Sequence, residues 1–336
     1  MHRALIVLFL LALLQGCRRT DKAGENIFHR SETMMGTVFS VQVWTGGELA
    51  GSREDVEHAV EQALKKARDI EHVMSQYREG STVSRINELA GGKYVKADEM
   101  TWHVIEKSRE LGLDTNGAFD ITFAPLGDLW DWRVESPAVP AKQAIEEAKK
   151  LVGLENLELD RVNRAVRLKD KGMKIGLGGV AKGYAIDEMG AILEALGVKN
   201  YIISGGGDLL IGGKKGKESW KLGVQHPRKK GGLIAQFEAG GRWAVATSGD
   251  YERFFVKDGR RYHHILDPMT GMPSTACVSA TVITPSALRS DALATALMVL
   301  GPEKAQALFD RLRDFKALLI DGDLKFHRIS DFPELL

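Results

Sequence analysis

Helical periodicity is the clearest pattern along the chain. Apolar residues fall at three- and four-residue intervals from Val56 to Met74, after a capping-box-like start in which Ser52 precedes Asp55. This spacing predicts one long amphipathic helix. Further helices are predicted at residues 81–87, 97–113, 143–151, 183–196, 290–300 and 302–313.

Short apolar runs bounded by glycines and polar residues predict strands between these helices. Residues 38–44 form the first such run, and residues 157–168 have the pattern of a hairpin. Because helices and strands do not alternate strictly, the pattern favours the α+β class, as one large mixed domain over residues 31–336. The other predicted strands are residues 201–204, 209–211, 220–225, 234–238, 243–247, 263–266, 277–284, 317–320 and 324–328.

The N-terminal 16 residues have the form of a secretory signal peptide. Arg3 supplies a positive charge, and residues 4–14 form an apolar core that is too short to span a bilayer comfortably. The residues before Cys17 resemble a bacterial lipobox, in which this cysteine becomes the lipidated first residue of the mature chain. The alternative is an ordinary cleaved signal with an incidental cysteine.

A polar segment without periodicity, residues 17–30, follows the signal and is predicted to be a tether from the lipid to the domain. The residue after Cys17 is Arg18 rather than aspartate, and by resemblance to Gram-negative sorting rules this favours the outer membrane. We therefore expect a lipid-anchored protein in the inner leaflet of the outer membrane, facing the periplasm.

The charge balance and the cysteine content exclude two further possibilities. Lys and Arg total 46 against 45 Asp and Glu, and removal of the signal would take away only Arg3. A mature chain near neutrality lacks the basic face that nucleic-acid binding requires. The second cysteine, Cys277, has no partner once Cys17 is acylated, so no disulfide is expected.

A carboxylate and a hydroxyl stand one turn apart in the helix predicted at residues 290–300. Asp291 and Thr295 are four residues apart and therefore share a helix face, near the positive end of the helix. Such hard oxygen ligands suit a small divalent cation that takes further oxygens from a substrate phosphate. The alternative is that Asp291 only caps the helix and Thr295 bonds to the helix backbone.

The 36 glycines of the chain cluster, which indicates backbone in close approach to a ligand. The densest cluster, residues 176–183, is neither a P-loop nor a dinucleotide fingerprint, because Lys182 precedes Gly183 and the glycine spacing differs from both motifs. A flexible backbone that leads into a helix N-terminus, with a lysine close behind, still suits a phosphate. A simple close-packed turn between strand and helix fits the same residues.

Two adjacent histidines precede a predicted turn at residues 267–271. His263 and His264 would point to opposite faces of a strand, so at most one can face a given site. Zinc needs at least three good ligands, and the sequence has no HExxH motif or cysteine pair to supply them. We therefore interpret His264 as a general base, with Asp267 as the first alternative.

Seven short motifs follow one another in order: Met34-Met35-Gly36-Thr37, Ala118-Phe119-Asp120, residues 177–184, Gly206-Gly207-Asp208, and residues 247–254, 264–271 and 291–296. Together they resemble the ApbE family of FAD:protein FMN transferases, over residues 33–300. The resemblance implies a single T-fold-like domain. It also implies a Mg²⁺-dependent reaction in which the FMN half of FAD is joined by a phosphoester to a Thr or Ser of a target protein, with release of AMP.

The resemblance also implies a site, residue by residue. Asp291 and Thr295 would hold Mg²⁺ together with the backbone carbonyl of Gly179, and His264 lies at the position of the family's proposed catalytic histidine. One position departs from the family pattern, because Gly176 replaces an aspartate and the contact of that side chain with FAD is missing. The residues implied to contact FAD are Met35, Tyr77, Ala118, Phe119, Asp120, Lys182 and Ile265.

The expected partners are FAD and flavoprotein acceptors in the periplasm or at the membrane, with no nucleic acid. Two other functions are compatible with the same residues. With water in place of the hydroxyl, the chain would be an FAD pyrophosphatase that yields FMN and AMP. A non-catalytic lipoprotein that holds FAD in the periplasm would use the same pockets but would tolerate the loss of His264.

Replacing Cys17 by Ser should release the protein from membranes into the soluble periplasmic fraction. The reason is that acyl chains anchor a protein through about 0.8 kcal/mol per buried methylene. Cell fractionation followed by detection of the protein measures the change. Unchanged membrane association of the variant would indicate that a protein partner, rather than a lipid, holds the chain.

Overall fold

The computed structural model describes residues 26–46, 52–130, 132, 134 and 137–336. The predicted signal peptide at residues 1–16, the predicted lipidation site Cys17 and most of the predicted tether lie outside these residues. Within the described ranges, no helix is long and apolar enough to cross a membrane.

The described residues form seven α-helices and fifteen strands. The helices are α1 (Arg53–Met74), α2 (Thr82–Glu88), α3 (Glu99–Asp114), α4 (Ala124–Gly127), α5 (Lys142–Lys149), α6 (Ala181–Ala195) and α7 (Ala287–Leu312). The strands are β1 (Ile27–Met34), β2 (Thr37–Trp44), β3 (Val95–Lys96), β4 (Leu157–Asp160), β5 (Ala165–Leu168), β6 (Tyr201–Gly205), β7 (Asp208–Gly212), β8 (Trp220–Gln225), β9 (Leu233–Ala239), β10 (Trp243–Gly249), β11 (Phe254–Lys257), β12 (Arg260–His263), β13 (Ser279–Thr284), β14 (Lys316–Ile320) and β15 (Phe326–Ile329).

Eight strands form one antiparallel sheet in the order β1-β2-β6-β7-β10-β13-β14-β15. Three helices cover one face: α1 lies against β1, α6 against β6 and β7, and α7 against β10 and β13. On the sheet's other side, Trp220 and Phe237 of the β8–β9 hairpin share a core cluster with Val245 and Leu318. Helices gathered on one face of an antiparallel sheet are typical of the α+β class, so the predicted fold class is confirmed.

The first long helix forms as its pattern predicts. Ser52 is the N-cap of α1: its Oγ accepts from the Asp55 backbone N–H at 3.2 Å, and Asp55 Oδ2 accepts from the Ser52 backbone N–H at 2.7 Å. The apolar stripe from Val56 to Met74 is buried, and α1 packs along α6 and β1. Both the start and the buried face of this helix therefore follow from local spacing.

Strand β1 was not predicted, and the strand predicted at residues 263–266 is displaced along the chain. β1 begins at Ile27, so residues 27–30 belong to the sheet and not to the predicted tether. This edge strand buries only Phe28 and Met34, and its largely polar sequence hides the alternation typical of a strand. The strand predicted at residues 263–266 instead ends at His263, where the pairing of β12 with β11 stops.

Helix α7 begins earlier than predicted. Its N-cap is Ser286, so Asp291 lies in the second turn and does not cap the helix. The carboxylate of Asp187, in α6, accepts from Ser286 Oγ and from the first two backbone N–H groups of α7 at 2.7–3.0 Å, and thus supplies a second cap. At Gly301 (φ 74°, ψ 176°) the backbone is not helical, so α7 consists of two helical segments that meet at a kink, where the sequence predicted two separate helices.

Helix α6 packs against the start of α7 at Gly183 with no room for a side chain. A Cβ at this position would lie 2.3 Å from the backbone oxygen of Ala287. Gly183→Ala should therefore lower the free energy of unfolding by roughly 1–3 kcal/mol, because one helix backbone has to move. Denaturant unfolding measures the change. Gly178→Ala is the matched control in the same glycine cluster, since no atom lies within 4 Å of its Cβ position; equal stability of the two variants would contradict this packing.

Candidate active site

Lys182 is the second residue of α6, where the chain leaves the glycine cluster. Val180 is the N-cap of α6 and makes no side-chain capping hydrogen bond. The positive end of the helix dipole therefore lies next to the lysine without a capping side chain to offset it. This arrangement favours an anion close to the first turn of α6.

Three acceptors surround the Lys182 ammonium. Its Nζ lies 3.1 Å from Asp291 Oδ2, 3.3 Å from Asp208 Oδ2 and 3.3 Å from the backbone oxygen of Gly178. Both carboxylates are buried, with 4% of Asp291 and 3% of Asp208 exposed. Among the described residues, Asp208 Oδ2 has no aligned hydrogen-bond donor, so its contact with Lys182 is an ion pair without good hydrogen-bond geometry.

Two carboxylates share one ammonium, and this affects the protonation of Lys182 and Asp208. Burial disfavours the charged form of Lys182, but the charges of Asp291 and Asp208 outweigh it and raise the pKa of the lysine. Burial, helped by the neighbouring Asp291 carboxylate, raises the pKa of Asp208 above its ordinary value, against the opposing effect of Lys182. A divalent cation at Asp291 would act in the opposite direction and favour ionised Asp208.

The residues predicted to hold Mg²⁺ lie together at this point. Thr295 Oγ1 is 3.7 Å from the position that a Cβ of Gly179 would occupy, and Asp291 lies one turn earlier in α7. Ser248 Oγ lies 3.5 Å from Thr295 Oγ1 and adds an oxygen that sequence analysis missed. The described part of the chain has no group of three His, Cys, Asp or Glu side chains that could hold a metal. A carboxylate, a hydroxyl and a carbonyl are nevertheless donors that fit Mg²⁺.

Residues 118–120 line the other side of the glycine cluster. Their side chains are buried, and Phe119 Cε2 lies 3.4 Å from the Cβ position of Gly179. Asp120 Oδ1 accepts from the backbone N–H and from Oγ1 of Thr122, at 2.7 and 2.6 Å. Burial raises the pKa of Asp120 to about 6 despite these hydrogen bonds. Phe119, one of the predicted FAD contacts, is thus adjacent to Gly179, one of the predicted metal donors.

Two tight turns meet beside Lys182. The β1–β2 turn is Met35-Gly36 and the β6–β7 turn is Gly206-Gly207, and all four residues have positive φ. A Cβ on Gly206 would lie 3.1 Å from Thr37 and 3.4 Å from Lys182 Cδ. Position 206 therefore needs glycine both for its left-handed backbone and for this close approach.

Glu71, a residue that sequence analysis missed, stabilises Met35 in the β1–β2 turn. Met35 is a non-glycine residue with a φ of 51°, a conformation that costs free energy unless the surroundings enforce it. Its backbone N–H donates to Glu71 Oε1 of α1 at 2.7 Å. Because Glu71 lies 36 positions from Met35, local spacing gave no signal of this contact.

Tyr77 follows the end of α1 and is 81% exposed, so its ring is free to lie over a planar ligand. Beside it in the chain, Gln76 Oε1 lies 2.7 Å from the Cβ position of Gly176. The Gln76 amide therefore fills the space in which a side chain at position 176 would begin. Where the family pattern has an aspartate, this chain thus presents the amide of Gln76.

The two adjacent histidines differ in their surroundings. His263 Nε2 lies 2.8 Å from the carbonyl oxygen of Ser274, and its Nδ1 accepts from the Ile265 N–H at 3.3 Å, so both ring nitrogens are engaged. His264 lies beyond the end of β12, and its backbone N–H donates to the carbonyl of Arg253 at 3.0 Å. Its Nδ1 has no hydrogen-bond partner among the described residues. The two residues therefore differ because the strand ends between them, not because they face opposite sides of it.

Burial, with smaller contributions from the charges of His263, Arg253 and Lys182, lowers the pKa of His264 to about 4. The imidazole is therefore neutral near pH 7 and keeps a ring nitrogen available, as a general base requires. The alternative base, Asp267, accepts hydrogen bonds from the Met269 N–H and the Thr270 hydroxyl. The predicted turn at residues 267–271 forms, and the Asp267 carboxylate stabilises it.

These features define a class of protein. An antiparallel α+β domain carries a half-buried lysine between two buried carboxylates at a helix N-terminus, hard oxygen donors beside it and a neutral imidazole. This set of groups is suited to the pyrophosphate of a nucleotide. Residues 35–319 match the sequence profile of the ApbE family. The chain therefore belongs to the ApbE family.

Similar proteins carry the name FAD:protein FMN transferase. One from Vibrio cholerae is 30% identical over 343 aligned positions, which cover 100% of this chain and 99% of that protein. One from Klebsiella pneumoniae is 34% identical and covers 81% of this chain and 78% of its own length. The solved ApbE protein of Thermotoga maritima has a TM-score of 0.81 at 34% identity, and the flavin transferase ApbE from V. cholerae 0.78 at 28%, each covering 91% of this chain and 98% of that one.

The low pKa of His264 should make the stability of the protein depend on pH. Between the folded pKa of about 4 and the ordinary histidine value of 6.5, the unfolded chain binds more protons, so the free energy of unfolding falls as the pH drops through this window. Urea unfolding at about pH 7.5 and about pH 4.5 should show a loss roughly 2 kcal/mol greater in wild type than in His264→Gln.

The control for this pH dependence is His58→Gln, at an exposed position of α1. It should keep the pH dependence of the wild type. If His264→Gln and wild type lost stability equally on acidification, the imidazole of His264 would not be the buried, neutral group described above.

Proposed function

We propose that this chain transfers FMN from FAD to the hydroxyl of a Thr or Ser residue in target proteins, through a phosphoester and with release of AMP. The observation that carries the proposal is the convergence at Lys182, where a helix N-terminus, a buried carboxylate of α7 and the glycine cluster meet beside Thr295. Membership of the ApbE family and the names of the relatives support the same activity.

FAD brings two phosphates, and the chain supplies fixed positive potential for them. Lys182 stays charged because the two carboxylates raise its pKa. The N-terminus of α6 adds partial positive charge, with no capping side chain to compete for its N–H groups. Groups held in this way stabilise developing negative charge without having to reorient during the reaction.

We propose Mg²⁺ as the cofactor, held by Asp291, Thr295 and the backbone carbonyl of Gly179. When bound, Mg²⁺ would supply Lewis-acid stabilisation of the pyrophosphate and of the leaving AMP. The fold of the chain brings these three oxygen donors close together. Helix α7 sets Asp291 and Thr295 one turn apart, and Ser248 lies within reach of the Thr295 hydroxyl.

The flavin and adenine groups are proposed to bind around the glycine cluster. Tyr77 offers an exposed ring, whereas the ring of Phe119 is buried beside Gly179 and Ile265 is buried next to His264. Aromatic and apolar surfaces of this kind suit planar ring systems. The other proposed contacts are Met35, Ala118 and Asp120.

His264 is proposed to remove the proton from the acceptor hydroxyl. The hydroxyl oxygen then attacks the FMN phosphorus in line with the bond to AMP. A P–O bond to the acceptor forms as the bond to AMP breaks, and the imidazole holds the proton. The imidazole is neutral near pH 7, and its Nδ1 has no hydrogen-bond partner among the described residues. It can therefore accept the proton of the acceptor hydroxyl.

We further propose that a lipid on Cys17 anchors the chain to a bacterial membrane, facing the periplasm. The lipobox-like residues before Cys17 support this anchor, and Arg18 favours the inner leaflet of the outer membrane. The acceptors would then be periplasmic or membrane-bound flavoproteins whose Thr or Ser reaches the site.

Incubating the purified protein with FAD, Mg²⁺ and a flavoprotein acceptor should leave flavin fluorescence on the acceptor in a denaturing gel. Asp291→Asn should lose this Mg²⁺-dependent transfer but stay folded, because Ser286 and Asp187 cap α7. Asp310→Asn, at an exposed position of the same helix, should transfer FMN at the wild-type rate.

Two results of this assay would contradict the proposal. A folded Asp291→Asn protein with full Mg²⁺-dependent transfer would remove Asp291 from the metal donors. Free FMN and AMP with an unlabelled acceptor would identify a pyrophosphatase instead of a transferase.

His264→Ala should slow transfer by about 10²–10⁴-fold, the usual contribution of a general base, with FAD binding little changed. The wild-type rate should hold from neutral pH down to the region of pH 4, where the pKa of His264 lies. His263→Ala is unsuitable as a control, because His263 is buried and hydrogen-bonded to the carbonyl of Ser274, so its loss would disturb the fold. His58→Ala serves instead, and a wild-type rate in His264→Ala would assign the base to another group.

A further inference from the structure

Lys182 shares one of its partners with the proposed metal ion. Asp291 Oδ2 lies 3.1 Å from Lys182 Nζ and also accepts from the Gly183 N–H at 3.4 Å. A cation held by Asp291 would be a like charge close to the ammonium, so the two would compete for one carboxylate. The lysine therefore needs a second anionic partner if it is to stay in place once the metal is bound.

Asp208 is held in position independently of the metal donors. It is the first residue of β7 and pairs across the hairpin with Gly205. The preceding turn, Gly206-Gly207, has positive φ at both residues, and Gly206 packs against the aliphatic stem of Lys182. The same rigid turn therefore supports the stem of the lysine and presents a carboxylate to its ammonium.

One oxygen of the Asp208 carboxylate can accept a further hydrogen bond. Asp208 Oδ2 lies 3.3 Å from Lys182 Nζ, is buried, and has no aligned hydrogen-bond donor among the described residues. A buried carboxylate oxygen without a donor is costly. A small movement of the ammonium from Asp291 towards Asp208 would form a better-aligned pair and free Asp291 for the cation.

We propose that Asp208 is a positioning residue for Lys182, which holds the ammonium beside the FAD phosphates while Asp291 coordinates the metal ion. The inference rests on the proposed function, from which it takes the Mg²⁺ donors and the role of Lys182 towards FAD. In this role Asp208 is not a metal ligand and does not touch the substrate.

The arrangement has a consequence for the binding of Mg²⁺ alone. Without the Asp208 carboxylate, Asp291 is the remaining carboxylate at the Lys182 ammonium, so the lysine stays there and opposes the cation. Without Lys182, no ammonium competes for Asp291, and the loss of Asp208 matters less. The effects of the two side chains on Mg²⁺ affinity should therefore be coupled.

Calorimetric titration of Mg²⁺ into the FAD-free protein tests this coupling in wild type, Asp208→Asn, Lys182→Met and the double variant. With Lys182 present, Asp208→Asn should raise the apparent Kd for Mg²⁺ about tenfold, which is about 1.4 kcal/mol. In the Lys182→Met background the same substitution should change Kd by less than about threefold. At saturating Mg²⁺, Asp208→Asn should raise KM for FAD more than it lowers kcat, because a misplaced lysine weakens ground-state binding of the phosphates.

Equal losses of Mg²⁺ affinity in both backgrounds would overturn the inference, because Asp208 would then act on the cation directly. No loss in either background would overturn it as well. A wild-type protein that binds no Mg²⁺ would remove the proposed metal donors and this inference with them, whereas Mg²⁺ binding without coupling overturns the inference alone. Thermal unfolding checks that each variant folds, and Asp208→Ser replaces Asp208→Asn in the same titrations if the latter does not.

Discussion

The buried charges around Lys182 are the constraint on which the site depends. Its ammonium comes from α6, Asp291 comes from α7, and Asp208 comes from the first position of β7. Neither carboxylate could be buried alone at acceptable cost, and removing one partner of such a pair leaves an uncompensated charge. The cluster therefore ties two helices to the middle of the main sheet, and the same contacts that fix the helices also bring together the residues of the proposed anion and cation sites.

The site also requires main-chain segments to approach each other closely, and glycine allows this at two positions. Gly183 lets α6 lie directly against the start of α7, which brings Lys182 within reach of Asp291. Gly206 lets the β6–β7 turn lie against the lysine stem with a left-handed backbone that few other residues adopt without strain. At these two positions, glycine thus allows main chain to pack closely beside Lys182.

Residues of the same type take different roles here according to what surrounds them. Asp187 caps α7, and Asp267 stabilises its own turn. Asp291 and Asp208 instead form ion pairs with Lys182. In the same way, His263 has both ring nitrogens engaged, whereas Nδ1 of His264, the next residue in the chain, is unbonded within the described ranges. Function at this site therefore follows from hydrogen-bond occupancy as much as from residue identity.

Local spacing in the sequence determined the elements whose cause is local. The length, cap and buried face of α1 follow from Ser52, Asp55 and an apolar period, because helix formation is decided within one or two turns. The order of short motifs was likewise enough to indicate the family, since it needs no knowledge of contacts.

Only the tertiary structure decided the contacts that join distant parts of the chain. The cap of α7 by Asp187, the support of Met35 by Glu71 and the pairing of Lys182 with Asp208 link residues with no periodic relation in sequence. The pKa of His264 likewise depends on burial by several elements at once. A local pattern carries no information about such partners, because their distance is set by how the helices pack on the sheet.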